Sequence, residues 1–248
     1  MLKGARRLLS RDWQSSARRA LLALCLLRGS LAAAETIVDA GYAIATTRYP
    51  HGVLGDNIEH ASLVITLGSG QTREFILPDD LVFEDTEPRL VDLDDDGLPE
   101  VITVESSQTL GARLAVYGSA GRIATTPHIG TRFRWLAPVG AFDLDGDGHM
   151  EIAVVDRPHL AKTLKVFRFK DGGLVPVAQM PGVTNHRIGE RDIAGGIRDC
   201  DGKPEMILAS ADWAHLVAVT FENGSLVQRQ IGTKTRREAF DRALDCAP

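Results

Sequence analysis

The chain has 248 residues, a net charge of −5 and 44% hydrophobic residues, enough apolar material for one large domain with its own core. Its first 34 residues hold seven Lys/Arg against one Asp, so that without this surplus of six the remainder carries −11. So acidic a body excludes nucleic acid as a natural partner, because that binding depends on basic surface.

The chain opens on a leader. Lys3, Arg6, Arg7, Arg11, Arg18 and Arg19 precede the apolar run Ala20–Leu27, and Ala32-Ala33-Ala34 offers a small-residue cleavage site before Glu35. That is the layout of a secretory signal peptide over residues 1–34; an uncleaved anchor is the alternative. The apolar run is too short to cross a bilayer, and no other segment approaches the ~20 apolar residues a span needs. Residues 35–248 are therefore expected to form one exported domain, periplasmic or extracellular, with no membrane span. Of three cysteines, Cys25 falls in the leader, and Cys200 and Cys246 remain. An even count in an exported chain permits one disulfide, here one that ties down the C-terminal tail, or else two separate thiols.

Beyond the leader the chain repeats itself. Gly41–Thr47 (GYAIATT) is strand-like, and His51–Leu67 keeps Gly55-Asp56 and Glu59 before a strand-like run. Next comes RLVDLDDDGLPEVITVE (Arg89–Glu105), then DLDGDGHMEIAVVD (Asp143–Asp156), then GGIRDCDGKPEMILAS (Gly195–Ser210). The glycines of these three copies fall at 97, 148 and 202, spacings of 51 and 54. Each copy leads into a β-branched run (Val101–Val104, Ile152–Val155, Met206–Leu208) and then into two further strand-like pieces separated by turn residues. Only the tail Arg236–Leu244 has helical periodicity. Units of four short strands recurring every 40–50 residues predict an all-β chain, a β-propeller of about four four-stranded blades, with Gly41–Thr47 completing the last blade and closing the ring. An open or stacked array of β units is the rival.

The repeated loop carries the chemistry. Counting from its first aspartate, positions 1, 3, 5 and 9 are Asp92, Asp94, Asp96 and Glu100 in one copy and Asp143, Asp145, Asp147 and Glu151 in the next, with Gly97 and Gly148 at position 6. Like charges this close repel unless a cation sits among them. A hard divalent ion such as Ca²⁺ takes six to eight oxygens, and the backbone carbonyls of Leu98 and His149 at position 7 can add to the carboxylates. An EF-hand would put its bidentate glutamate at position 12 between helices; here that position is Thr103 or Val154, inside expected strands. The third copy keeps Asp199, Asp201, Gly202 and Glu205 but has Ile197 at position 1, so its site is weaker; Asp56 and Glu59 alone make no cage. Plain Asp/Gly turn chemistry accounts for one such loop, but not for two full copies with an acid returning at position 9.

The pattern D-x-D-x-D-G-x-x-E followed by a β-branched strand resembles the FG-GAP or VCBS repeat, the unit of the integrin α-subunit propeller and of many exported bacterial proteins. Arg89–Val104 and Val139–Val155 match it closely, and with its strands the likeness covers most of residues 36–231. It implies a propeller with calcium in its loops and a role in adhesion or binding to a protein or glycan rather than catalysis. The eight acids at positions 1, 3, 5 and 9 of the two complete loops would be the side-chain ligands.

Other signals are thinner. The seven histidines show no metalloprotease-type spacing, and no nucleophile elbow or Walker glycine loop is present. Trp135 and Trp213 read as packing residues before sugar platforms. The second function class is a calcium-dependent hydrolase of glycans or phosphate esters with its site in the channel. That class needs acids or histidines converging on one pocket.

Overall fold

A computed structural model describes residues 35–247, so the expected signal peptide over residues 1–34 lies outside the described residues. The described chain is almost wholly antiparallel β-structure. In order, the strands are β1 (Ile37–Thr46), β2 (Glu59–Leu67), β3 (Thr72–Ile76), β4 (Leu81–Phe83), β5 (Arg89–Val91), β6 (Glu100–Ser107), β7 (Gly111–Gly118), β8 (Gly121–Thr125) and β9 (Leu136–Phe142). They continue with β10 (Glu151–Asp156), β11 (Thr163–Lys170), β12 (Gly173–Pro181), β13 (Val183–Thr184), β14 (Gly196–Asp199), β15 (Pro204–Ser210), β16 (Leu216–Glu222) and β17 (Ser225–Gly232), and end on α1 (Arg237–Leu244).

The three acidic copies each introduce an equivalent sheet. In the second unit β6 pairs with β7 on one edge and with β4 and β5 in succession on the other, and β8 lies beyond β7. The third unit is the plain series β9, β10, β11, β12, and the fourth repeats the second, with β13 and β14 sharing one edge of β15. The first strand of each sheet is thus interrupted at one level: by residues 84–88 in the second unit, by a bulge at Val139 in the third, and by residues 185–195 in the fourth. Gly140 serves that bulge with φ of 152°, and a Cβ there would lie 3.0 Å from Cδ1 of Ile197.

Burial explains the strand sequences. All of β6 and β10 is buried, which is why they read as unbroken small and β-branched runs, whereas β12 and β17 alternate with exposed positions. One core cluster joins Ile102, Leu114, Ile152, Leu164 and Leu208 across the second to fourth sheets. Each such side chain taken out of water is worth about 1.5–3 kcal/mol.

Two sequence expectations fail here. Gly41–Thr47 does not complete the last unit: β1 pairs with β2 along its length, from Ile37 opposite Leu67 to Thr46 opposite Glu59, and β17 is the free edge of the fourth sheet. The first unit is also not four-stranded. It is β1, β2 and β3, joined to the second unit through β4, because Phe83 pairs with His60 while β4 pairs along β6. The local reason is an apolar cluster of Ile37, Leu63, Leu67, Phe83 and Tyr117 that holds the first hairpin against the second sheet. The first and fourth units nonetheless meet at their loops: the Val53 carbonyl accepts the Gly189 N–H at 3.0 Å, and a Cβ on Gly55 would sit 2.8 Å from the Gly189 oxygen.

At the C-terminus, α1 buries Ala239, Phe240 and Ala243 against the fourth sheet. Cys200 and Cys246 are joined in a disulfide with Cα atoms 5.7 Å apart, closing a span of 46 residues. In the chain-entropy account such a cross-link contributes about 4 kcal/mol.

Candidate metal centre

In the loop after β5, Asp92, Asp94 and Asp96 each place a carboxylate oxygen within 4.8 Å of the others. Local hydrogen bonds form this turn. Asp92 accepts the N–H groups of Asp96 (3.2 Å) and Gly97 (2.9 Å), Asp96 accepts that of Leu98 (2.7 Å), and Gly97 takes a φ of 82° that a side chain would strain. Buried Leu93 pins the loop from below, and its N–H donates 2.9 Å to Glu100. Glu100 is only 7% exposed, and burial pushes its carboxyl up to about 7, with Asp94, Asp96 and Asp92 adding to the rise. No ion pair reaches any of these four acids among the described residues.

The loop after β9 has the same turn: Asp143 accepts from Gly146, Asp147 and Gly148, Asp147 accepts from His149, and the N–H of buried Leu144 donates 2.9 Å to Glu151. Asp143, Asp145 and Glu151 gather within 4.8 Å. Asp147 stands outside that group, and a cation of the protein's own reaches three of the four acids. Arg168 donates from Nε to Glu151 at 2.5 Å, from Nη1 to Asp147 at 2.6 Å and from Nη2 to Asp145 at 2.9 Å. Slight burial would raise the Asp147 pKa, but the His149 N–H and Arg168 outweigh it and hold the group below the usual range. Burial raises Glu151, against the opposing pull of the Leu144 N–H and Arg168.

The third copy has left the pattern at three positions. At position 1, Ile197 packs over Gly140. At position 2, where the other copies bury leucine, Arg198 donates 3.0 and 2.6 Å to Oε2 of Glu205, and Arg229 donates to Oε1 at 3.0 and 2.6 Å and shares Oε2 at 2.8 Å. At position 4, Cys200 is held by the disulfide. Burial alone would raise Glu205, yet the two arginines bring it below its usual value. Asp199 and Asp201 stay exposed and join no acidic group among the described residues.

Donor chemistry separates the three. The first loop offers only oxygen, from acids that lack a counter-charge, and so fits a hard divalent cation. The second offers similar oxygen already neutralised in part. The third has no room left on Glu205.

A second constellation, invisible in the sequence spacing, gathers around two of the first-strand interruptions, which hold Glu84 and His186. Glu84, fully buried, contacts His51 Nδ1 and Ser106 Oγ through its carboxylate, and its carbonyl accepts Trp135 Nε1–H at 2.7 Å. His159 Nε2 lies 2.9 Å from His186 Nδ1, and His186 Nε2 donates to the Glu190 carbonyl at 2.8 Å. His51 and His159 line one cavity of about 190 Å³ with Trp135 and Arg134. Burial, followed by His186 and His51, pushes His159 down to about 4. Three of the scattered histidines are thus neighbours. No spacing signals this: His51 lies in the β1–β2 loop, His159 in the β10–β11 loop and His186 in the break between β13 and β14. Trp135 is a packing residue at 2% exposure, while Trp213 lies beneath the Arg187 guanidinium at 3.6 Å.

Residues 92–154 match the FG-GAP-like repeat family. No curated protein matches the sequence. Among solved structures the chain is similar to the rhamnogalacturonan lyase YesW, at 15% identity and a TM-score of 0.41 over 72% of this chain and 43% of that one. It is also similar to the exotype rhamnogalacturonan lyase YesX, at 15% identity and a TM-score of 0.45 over 81% and 48% respectively. The chain spans less than half the length of either enzyme.

Proposed function

From its FG-GAP-like repeat, we propose that this chain is an exported, calcium-binding β-propeller that serves as a binding or adhesion module for a protein or glycan partner. The observation that carries the reading is the loop whose Asp92, Asp94 and Asp96 oxygens converge, with Glu100 accepting from Leu93 beneath them and no basic partner on any of the four among the described residues. Calcium there would join the carboxylates of the turn to the first residue of β6 and stiffen the sheet by RT ln(1 + [Ca²⁺]/Kd). Leu98 would add its carbonyl. In the second loop Asp143, Asp145, Asp147 and Glu151, with the His149 carbonyl, would take calcium in competition with Arg168 and so more weakly. Ring closure is supported by the Val53–Gly189 contact and by a 510 Å³ cavity lined from all four units, including Asp56, Glu87, Val139 and Arg191. Export is supported by the leader and the disulfide, and a partner face by exposed Leu160 and Ile188 beside the histidine cavity.

The direct test is thermal melting in calcium and in EDTA, with a pull-down from the native envelope fraction under both conditions. A calcium-raised melting temperature and calcium-dependent capture support the module; identical melting curves contradict it. A calcium-dependent hydrolase of glycans or phosphate esters is the second reading, favoured by His51 and His159 lining one cavity, with buried Glu84 held against His51. Turnover on a glycoside and phosphoester panel, lost in His51→Gln, would establish it, and no turnover would retire it.

A further inference from the structure

The hydrogen bonds around the histidine cavity fix which ring nitrogens carry protons. A carbonyl oxygen only accepts, so His186 Nε2, 2.8 Å from the Glu190 carbonyl, bears a hydrogen. His186 is fully buried, and a neutral imidazole with its hydrogen on Nε2 presents Nδ1 as an acceptor. His159 Nε2, 2.9 Å away, therefore donates to it, and His159 Nδ1 keeps a free lone pair. On the opposite side His51 Nδ1 is committed to the Glu84 carboxyl group, whose other oxygen accepts from Ser106, and His51 Nε2 is the ring nitrogen with no hydrogen-bond partner among the described residues.

Both rings are held rigidly. His51 stacks on Phe133 with centroids 5.0 Å apart, His159 packs against His186 at 5.1 Å, and His186 meets Trp135 edge-on at 4.9 Å. Phe133 and Arg157, which flank the same cavity, sit at φ of 56° and 48°, a strained backbone for side-chain-bearing residues. Imidazoles whose second nitrogen is tied to a carboxylate or a carbonyl-anchored acceptor are oriented as metal ligands usually are.

We infer that His51 Nε2 and His159 Nδ1 form a two-imidazole site for a divalent late first-row metal ion, with Zn²⁺ as the reference ion. Imidazole donors suit zinc, copper and nickel and set this site apart from the all-oxygen loops, which suit calcium. Two protein ligands leave coordination positions open toward the cavity, the arrangement of a reactive or ligand-accepting centre. Arg134, on the cavity wall, lies where an anionic group bound to the ion would be met by a guanidinium; Arg157 is already paired with Asp156 through both carboxylate oxygens. The inference does not depend on calcium occupying the loops.

The test uses the full chain in saturating calcium, with Co²⁺ as the spectroscopic probe and Zn²⁺ as competitor. One equivalent of Co²⁺ should give visible bands of a low-coordinate imidazole complex that Zn²⁺ abolishes. His51→Gln and His159→Gln should each weaken binding at least tenfold, and substitution of a histidine outside the cavity, His128→Gln, should leave it unchanged. X-ray absorption of the wild-type zinc complex, which requires no variant to fold, should count two imidazoles. No bands, bands that survive both substitutions, or fewer than two imidazoles would overturn the site.

Discussion

The loops at residues 92–100 and 143–151 share the acids of one motif and the same turn, yet they solve the repulsion among those acids differently. The difference comes from the next strand but one. Glu151 lies in register opposite Arg168 on β11, whereas the register of β6 with β7 puts Gly118 opposite Glu100. A guanidinium thus reaches the second loop and nothing reaches the first. The third loop extends the series, since Arg198, Arg229 and the disulfide replace every task an ion would perform. Loops of one motif thus run from acids without a counter-charge to acids neutralised by arginine within a single chain, and the cross-strand residue decides which.

The largest expected effect is on the first loop. Asp94→Asn with Asp96→Asn keeps the Asp92 turn but removes two charges, and should abolish most of the calcium-induced stabilisation, about 2.7 kcal/mol at a calcium level one hundred times Kd; melting in calcium against EDTA measures it. Next, Arg168→Gln should destabilise the calcium-free chain by about 2 kcal/mol, less than for fully buried pairs because Asp147 faces solvent. The same variant should respond more strongly to calcium than wild type, which would separate competition from simple structural loss.

The first unit supplies a control whose glutamate has neither an acidic cage nor an arginine partner among the described residues. Glu59 is 2% exposed, and burial, reinforced by Glu84, Asp56 and Asp85, pushes it up to about 9. A carboxyl raised this way favours folding below its unfolded value near 4.5 and loses that contribution as pH rises through 9. Glu59→Gln should accordingly raise stability by at least about 1 kcal/mol at pH 8, with the gain shrinking toward pH 5 in melting experiments. The smallest effect is expected from Gly118→Arg. A Cβ at Gly118 meets nothing closer than 3.6 Å, so the arginine can enter. It should blunt the calcium response of the first loop and raise calcium-free stability by under about 1 kcal/mol.

Much of this was legible in advance. Alternating aspartates, the position-6 glycine and the returning glutamate marked the loops, and the small β-branched runs after them became β6, β10 and β15 because those strands are buried on both faces. What the sequence hid was long-range. Arg168 was one basic residue in a strand-like run, and only its register opposite Glu151 makes it a counter-ion. His51, His159 and His186 are far apart in sequence and meet through two inter-strand loops and one strand interruption that no periodicity signals. Gly41–Thr47 looked like a spare strand, and the cluster around Phe83 and Tyr117 drew it to β2 instead.

Calorimetric titration of calcium into wild type and into the Asp94→Asn, Asp96→Asn double variant tests the central claim most directly. Two unequal classes of site are predicted, with the tighter one missing from the variant. No heat from wild type, or the same isotherm from both proteins, would contradict it.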